Sequence, residues 1–186
     1  MKDFFDKQSP TLSFEIFPPK GKGELSSIFA TVDALASLAP DLISVTYGAG
    51  GTSRENTAEI ASEIQNSYNI PAVAHLTCVG STKEQMDKVL LSLAEKGVKN
   101  ILALRGDLAE GEKLSDFKYA CYLIRFIKSK YNFKILAACY PEKHLEAYSM
   151  QDDLMRLREK CACGADMLIS QLFFDNSLFY EFKDKA

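Results

Sequence analysis

The chain has no apolar run as long as the roughly 18 residues that cross a bilayer, so no membrane span is expected. It has no excess of either charge. A net charge of −3, with acidic and basic residues interspersed, recommends neither nucleic acid nor an anionic membrane as a partner. Its opening, "MKDFFDKQSP", has no apolar segment followed by a small-residue cleavage site, so no secretory signal is expected. It has no disulfide framework: Cys78, Cys121, Cys139, Cys161 and Cys163 are odd in number and irregular in spacing. Reduced thiols in a cytoplasmic protein are the expectation, serving as small apolar packing groups and not as metal ligands. Neither GxGxxG nor GxxxxGK[ST] occurs, which excludes the two common nucleotide fingerprints. "GAGG" at Gly48–Gly51 lacks their spacing and says only that a loop turns sharply.

What is present is a single-domain composition: 186 residues, 47% apolar and 25% charged. Two periods alternate along it. Short apolar stretches predict strands at Leu12–Phe17, Leu42–Tyr47, Ala72–Leu76, Asn100–Leu104, Lys134–Cys139 and Met167–Phe173. Between them lie helical patterns, as in Glu24–Leu38, where Leu25, Ile28, Phe29, Val32 and Leu35 recur on one face. Thr52-x-x-Glu55 and Ser81-x-x-Glu84 read as capping boxes. Ser115-Asp116, Asp152 or Asp153, and the neighbourhood of Asp175 read as further helix starts. Gly97 and Gly164 read as helix stops. The order is β-α repeated six times at about 30 residues per unit, which implies a parallel sheet with crossover helices, either doubly wound or closed into a barrel. No linker or low-complexity stretch divides it, so residues 1–186 form one domain.

In such folds ligands lie beyond the carboxyl ends of the strands. Here each strand end carries a polar group: "SFEIFPPK", "VTYGAGG", "AHLTC", "LRGD", "CYPEKH" and "SQLFFD". Taken singly, each has a plain reading and a chemical one. Glu15 is either a solvent-facing edge residue or, among Phe14, Ile16, Phe17 and two prolines, a desolvated carboxyl able to act as a general acid. His75 is a satisfied core histidine or a ligand contact, and His144 a helix cap or a contact. Arg105 and Asp107 are an ion pair across a turn, or both are aimed at a ligand. Gln171, flanked by apolar residues on a strand, needs partners for its amide. Lys160, two helical turns after Asp153, lies on a solvated face or reaches the site. The joint placement at one end of the sheet is the stronger signal. A Schiff-base lyase with Lys20 or Lys160 as the amine is disfavoured, because neither lysine ends a core strand.

Those six motifs, in their order and spacing from Ser13 to about Asp175, resemble methylenetetrahydrofolate reductase of the bacterial type, over its N-terminal two-thirds. The resemblance implies a (β/α)8 TIM-barrel fold, here truncated to about six β/α units, since a complete barrel takes roughly 250 residues. It implies FAD at the strand C-termini and NADH or NADPH as reductant. The product from 5,10-methylenetetrahydrofolate is 5-methyltetrahydrofolate, for one-carbon metabolism and methionine synthesis. Carried over by motif, Glu15 is the general acid that opens the folate ring. Asp107 lies beside both flavin and pterin, and Gln171 holds the pterin edge. Thr46, His75, Arg105, Gly106, Asp107, Tyr119, Ala120, Tyr140, His144, Asp153 and Lys160 line the FAD. One helix departs from the family pattern: Arg156 and Glu159 stand where it has Asn and Arg, and a glutamate near a diphosphate repels it. A barrel short of two strands has open edges. They make a homo-oligomer or edge-to-edge association the expected partnership, and a catalytically incompetent fragment, or one half of a complex, the alternative to an active reductase.

Overall fold

The computed structural model describes residues 10–19, 25–47, 51–107 and 116–186, with backbone only at 51–54. Gly48, Ala49 and Gly50, Lys20, Ser115 and the Thr52 side chain of the first expected capping box lie outside the described residues. The elements alternate as β1 (Ser13–Ile16), α1 (Leu25–Ala36), β2 (Leu42–Val45), α2 (Gly51–Asn66), β3 (Ala72–Thr77) and α3 (Lys83–Glu95). They continue as β4 (Asn100–Leu104), α4 (Ala120–Lys130), β5 (Lys134–Cys139), α5 (Met150–Ala162), β6 (Met167–Ser170) and α6 (Asn176–Lys185). The strands pair in chain order, each parallel to the next, which is the wall of a β/α barrel built from six units.

Strand alternation sorts the side chains onto two faces. Ile16, Ile43, Val45, Ala74, Leu76, Ile101, Ala103, Ile135 and Ala137 join helix residues such as Val32, Ile60, Ile64, Leu90, Leu123 and Ile124 in the main core. Each fully buried aliphatic contributes about 1.5–3 kcal/mol. The opposite face carries a thinner apolar layer of Leu42, Val73, Leu102 and Leu136. Its register continues toward the strand C-termini through Glu15, Thr46 and His75, so one parity of the sheet carries both inner packing and chemistry. The five cysteines are free. Burial pushes Cys78 up to about 12 and Cys139 to about 11, leaving both as protonated packing groups.

Three helix starts differ from expectation. At α3 the cap is Thr82, whose hydroxyl accepts from Gln85 N while Gln85 Oε1 accepts from Thr82 N; Ser81 is buried one residue earlier. Helix α4 begins at Ala120, not beside Asp116, because the Asp116 carboxylate accepts at 2.8 Å from Lys83 N and serves the start of α3 instead. Helix α5 is capped by Ser149, which accepts from Asp152 N. Asp152 and Asp153 fall in its first turn, where negative charge complements the helix dipole. Asp175 caps α6 as expected. Gly97 at φ +76° and Gly164 at φ +109° follow α3 and α5 in the left-handed region, as their sequence positions predict.

Candidate functional site

The Arg105–Gly106–Asp107 turn is fixed by backbone bonds that extend the β3–β4 pairing past the strand ends: Val79 N donates to Arg105 O at 2.8 Å, and Cys78 N to the same oxygen at 3.1 Å. Gly106 sits at φ +87°, and a Cβ there would lie 2.8 Å from Val79 Cγ1 and 3.0 Å from Thr77 Cβ. Conformation and space both demand glycine. The guanidinium of Arg105 donates from both terminal nitrogens to the two carboxylate oxygens of Glu146, each at 2.6 Å. The partner of Arg105 is therefore Glu146, 41 residues on, and not Asp107, which is exposed on the turn. Glu146 first, then more weakly Asp107, raises the affinity of the guanidinium for its proton.

Arg105 opens a cleft of about 310 Å³ between the ends of β4 and β5 and the starts of α4 and α5. Seven sequence-predicted residues meet there: Arg105, Tyr119, Ala120, Tyr140, His144, Asp153 and Lys160. The loop after β5 forms one wall. Its Lys143 Nζ donates to the carbonyls of Ala147 (2.7 Å) and His144 (3.1 Å). His144 N donates to Asp153 Oδ2 at 2.9 Å, and the His144 ring packs edge-on to Tyr140 at 4.7 Å. Burial pushes the Tyr140 phenol up. Lys160 does not lie on a solvated face. Its Nζ reaches 2.6 Å from Ala138 O and 5.8 Å from the Tyr140 ring centre, and burial lowers its pKa. The Tyr119 ring, also in the lining, has the cations of Lys118 (5.3 Å) and Arg156 (5.6 Å) within reach of its π face. The start of α4, at Ala120, has no side-chain cap among the described residues.

Glu159 also lines the cleft, but its charge is met within the helix by Arg156 at 3.2 Å, so the departure from the family pattern leaves a compensated pair. Lys118, Glu146 and Arg156 are cleft residues that motif reasoning did not assign. Glu146 had one signal, its place in the loop directly after the "CYPEKH" strand end.

A second group lies on the inner face. His75 is buried, and its Nε2 stands 3.5 Å from Glu15 Oε2. That nitrogen makes no hydrogen bond among the described residues. Burial pushes the imidazole down to about 4. Thr46, just past β2, is held by its N–H on Ile16 O. For Glu15 the solvent-facing reading holds over the desolvated one, and for Gln171 the expectation of a buried strand amide is corrected. The Glu15 side chain is 48% exposed, because Phe17 turns outward and does not enclose it. Gln171 is exposed one residue beyond β6, not buried within it, with its N–H on Cys139 O at 2.8 Å. The inner-face group and the cleft group are distinct, and Gly106 and Asp107 lie outside the cleft lining on the turn that Arg105 begins.

Among solved structures the chain is similar to an oxaloacetate acetylhydrolase, with TM-score 0.66 and 13% identity over 94% of this chain and 62% of that one. It is also similar to a Clostridium thermocellum protein described as binding two copies of 5-methyl-5,6,7,8-tetrahydrofolic acid, with TM-score 0.62 and 13% identity over 97% and 60%. At such identities these likenesses speak for the fold alone. Sequence relatives are nearer. The 5,10-methylenetetrahydrofolate reductase of Pectobacterium carotovorum subsp. carotovorum is 38% identical over 94% of this chain and 58% of its own length. That of Escherichia coli K12 is 37% identical over 94% and 59%. Methylenetetrahydrofolate reductase (NADH) 1 of Arabidopsis thaliana is 35% identical over 98% and 33%. This chain thus spans under two thirds of each of these relatives. The family model for methylenetetrahydrofolate reductase matches residues 1–186, and the chain belongs to that family.

Proposed function

We propose that this chain carries the flavin site of an NAD(P)H-dependent oxidoreductase that reduces 5,10-methylenetetrahydrofolate to 5-methyltetrahydrofolate. The observation that supports it most is the cleft at the β4 and β5 ends, where seven motif residues from four elements converge. The donor set fits FAD. Arg105, Lys118, Arg156 and Lys160 supply the cationic donors that a diphosphate takes. The uncapped start of α4 adds backbone N–H groups of the right polarity. The orphaned, buried Nε2 of His75 provides a polar contact for a ring lying across the inner face.

When bound, FAD supplies hydride transfer between nicotinamide and folate. The protein's own residues do the rest. Arg105, His144, Asp153 and Lys160 anchor and orient. Tyr119 and Tyr140 offer aromatic surface. Asp107, exposed on its turn, places a negative charge where it favours a cationic folate iminium. In this reading Glu15, half in solvent on the inner face, gives a proton to the folate nitrogen, and Gln171 bonds the pterin edge.

The test separates the half-reactions. Purified protein loaded with FAD is mixed with NADH under anaerobic conditions and then with methylenetetrahydrofolate, following flavin absorbance. Bleaching followed by recovery supports the proposal. Bleaching with no folate-dependent recovery removes the folate half from it, and no bleaching by either nicotinamide removes the reductase.

A further inference from the structure

Three of the four cleft cations do not stand open to a ligand; Lys118 is exposed and lies over the Tyr119 ring. Arg156 is paired with Glu159 and lies 3.7 Å from Asp152, Lys160 is engaged by a carbonyl, and Arg105 is held by Glu146 through two parallel bonds. The Arg105–Glu146 pair has the geometry by which arginine grips a phosphate, two N–H donors to two oxygens. Its partners are unequally placed. The Arg105 side chain is 18% exposed and further tied by its own Nε to Gly106 O, whereas the Glu146 side chain is 61% exposed. Glu146 can also release without unfastening its loop, because that loop is anchored independently by Lys143 on Ala147 O and by His144 N on Asp153.

We infer that the Glu146 carboxylate occupies the phosphate position of the cleft, and that a phosphorylated ligand binds by displacing it from Arg105. This rests on the proposed flavin site and adds to it a residue that sets affinity for the ligand's phosphates. Glu146 is then a competitor for Arg105, not a strut. A strut, once removed, weakens every ligand and the fold together. A competitor, once removed, strengthens phosphorylated ligands alone.

Titration calorimetry with ADP and with adenosine, on the 186-residue chain and its Glu146→Gln variant, distinguishes the two. The probes share base and ribose and differ in the phosphates. A pair with one exposed partner is worth about 1 kcal/mol, so Glu146→Gln is expected to bind ADP roughly fivefold more tightly with adenosine unchanged. Glu146→Asp, whose carboxylate is one methylene farther from Arg105, is expected to move in the same direction by a smaller factor. ADP affinity that is unchanged or weaker in Glu146→Gln, adenosine affinity that shifts in step with ADP, or no ADP binding to either chain overturns the inference. FAD retention on the same samples keeps the two readings apart. Retained FAD without the ADP gain sinks the competitor and leaves the flavin site, whereas loss of FAD from the unmodified chain sinks the flavin site.

Discussion

Nε2 of His75 lies 3.5 Å from Oε2 of Glu15, joining β1 and β3 across the inner face above the intervening β2. The distance is that of an ion pair, yet the histidine is not charged near neutral pH. Its side chain is 10% exposed, and loss of hydration brings its pKa down to about 4. A neutral imidazole therefore stands beside Glu15. On the proposed reaction this matters, because a cationic neighbour would oppose protonation of the very carboxyl that has to carry the proton.

The first consequence is in stability. Unfolded, the imidazole titrates near 6.5; folded, near 4. Between those values the unfolded chain binds the extra proton, so stability falls as pH drops from about 6.5 to about 4, by roughly 3 kcal/mol. Urea midpoints at pH 7 and pH 4.5 should differ less in His75→Gln than in the unmodified chain. An equal loss in both would mean that His75 does not titrate in this range.

Replacing Glu15 with Gln should leave flavin reduction by NADH within about twofold and reduce folate-dependent reoxidation by about 10²-fold or more, the usual worth of a positioned proton donor. Rapid-mixing of the two half-reactions reads this directly. Comparable losses in both would remove Glu15 from the role of acid.

Gly106→Ala tests the turn alone. Left-handed φ and a 2.8 Å approach to Val79 both oppose a methyl group. A loss of about 2 kcal/mol is expected, read from the denaturation midpoint, while Ala replacing the exposed Asp107 should change stability by about 0.5 kcal/mol or less. A neutral Gly106→Ala would mean that the turn relaxes freely.

Lys160→Met keeps an apolar stem and gives up one bond to Ala138 O, so stability should fall by only about 1 kcal/mol. Flavin affinity should fall about tenfold, one charge-assisted contact's worth. Fluorescence titration with FAD decides it; unchanged affinity would confine Lys160 to holding the end of β5.

The parallel β/α order was legible because strand and helix periods alternate cleanly and Gly97, Gly164 and Asp175 mark boundaries by local chemistry. The start of α4 was not, because Asp116 has a cap's chemistry but spends it on Lys83, a partner distant in sequence. The site followed the same division. Arg105, Tyr140 and His144 were readable from the strand-end motifs, whereas Tyr119, Ala120, Asp153 and Lys160 were assigned only through the family resemblance. The exposure of Glu15 and Gln171 was not readable, because apolar sequence neighbours such as Phe17 and Leu172 themselves face outward. Nor was the Arg105–Glu146 pair, since nothing local in either segment specifies a contact across 41 residues.

The most direct test of the flavin site is the visible absorption spectrum of the purified 186-residue chain after incubation with FAD and desalting. The account predicts flavin bands that stay with the protein and are depleted in Lys160→Met. A colourless protein after desalting would contradict it.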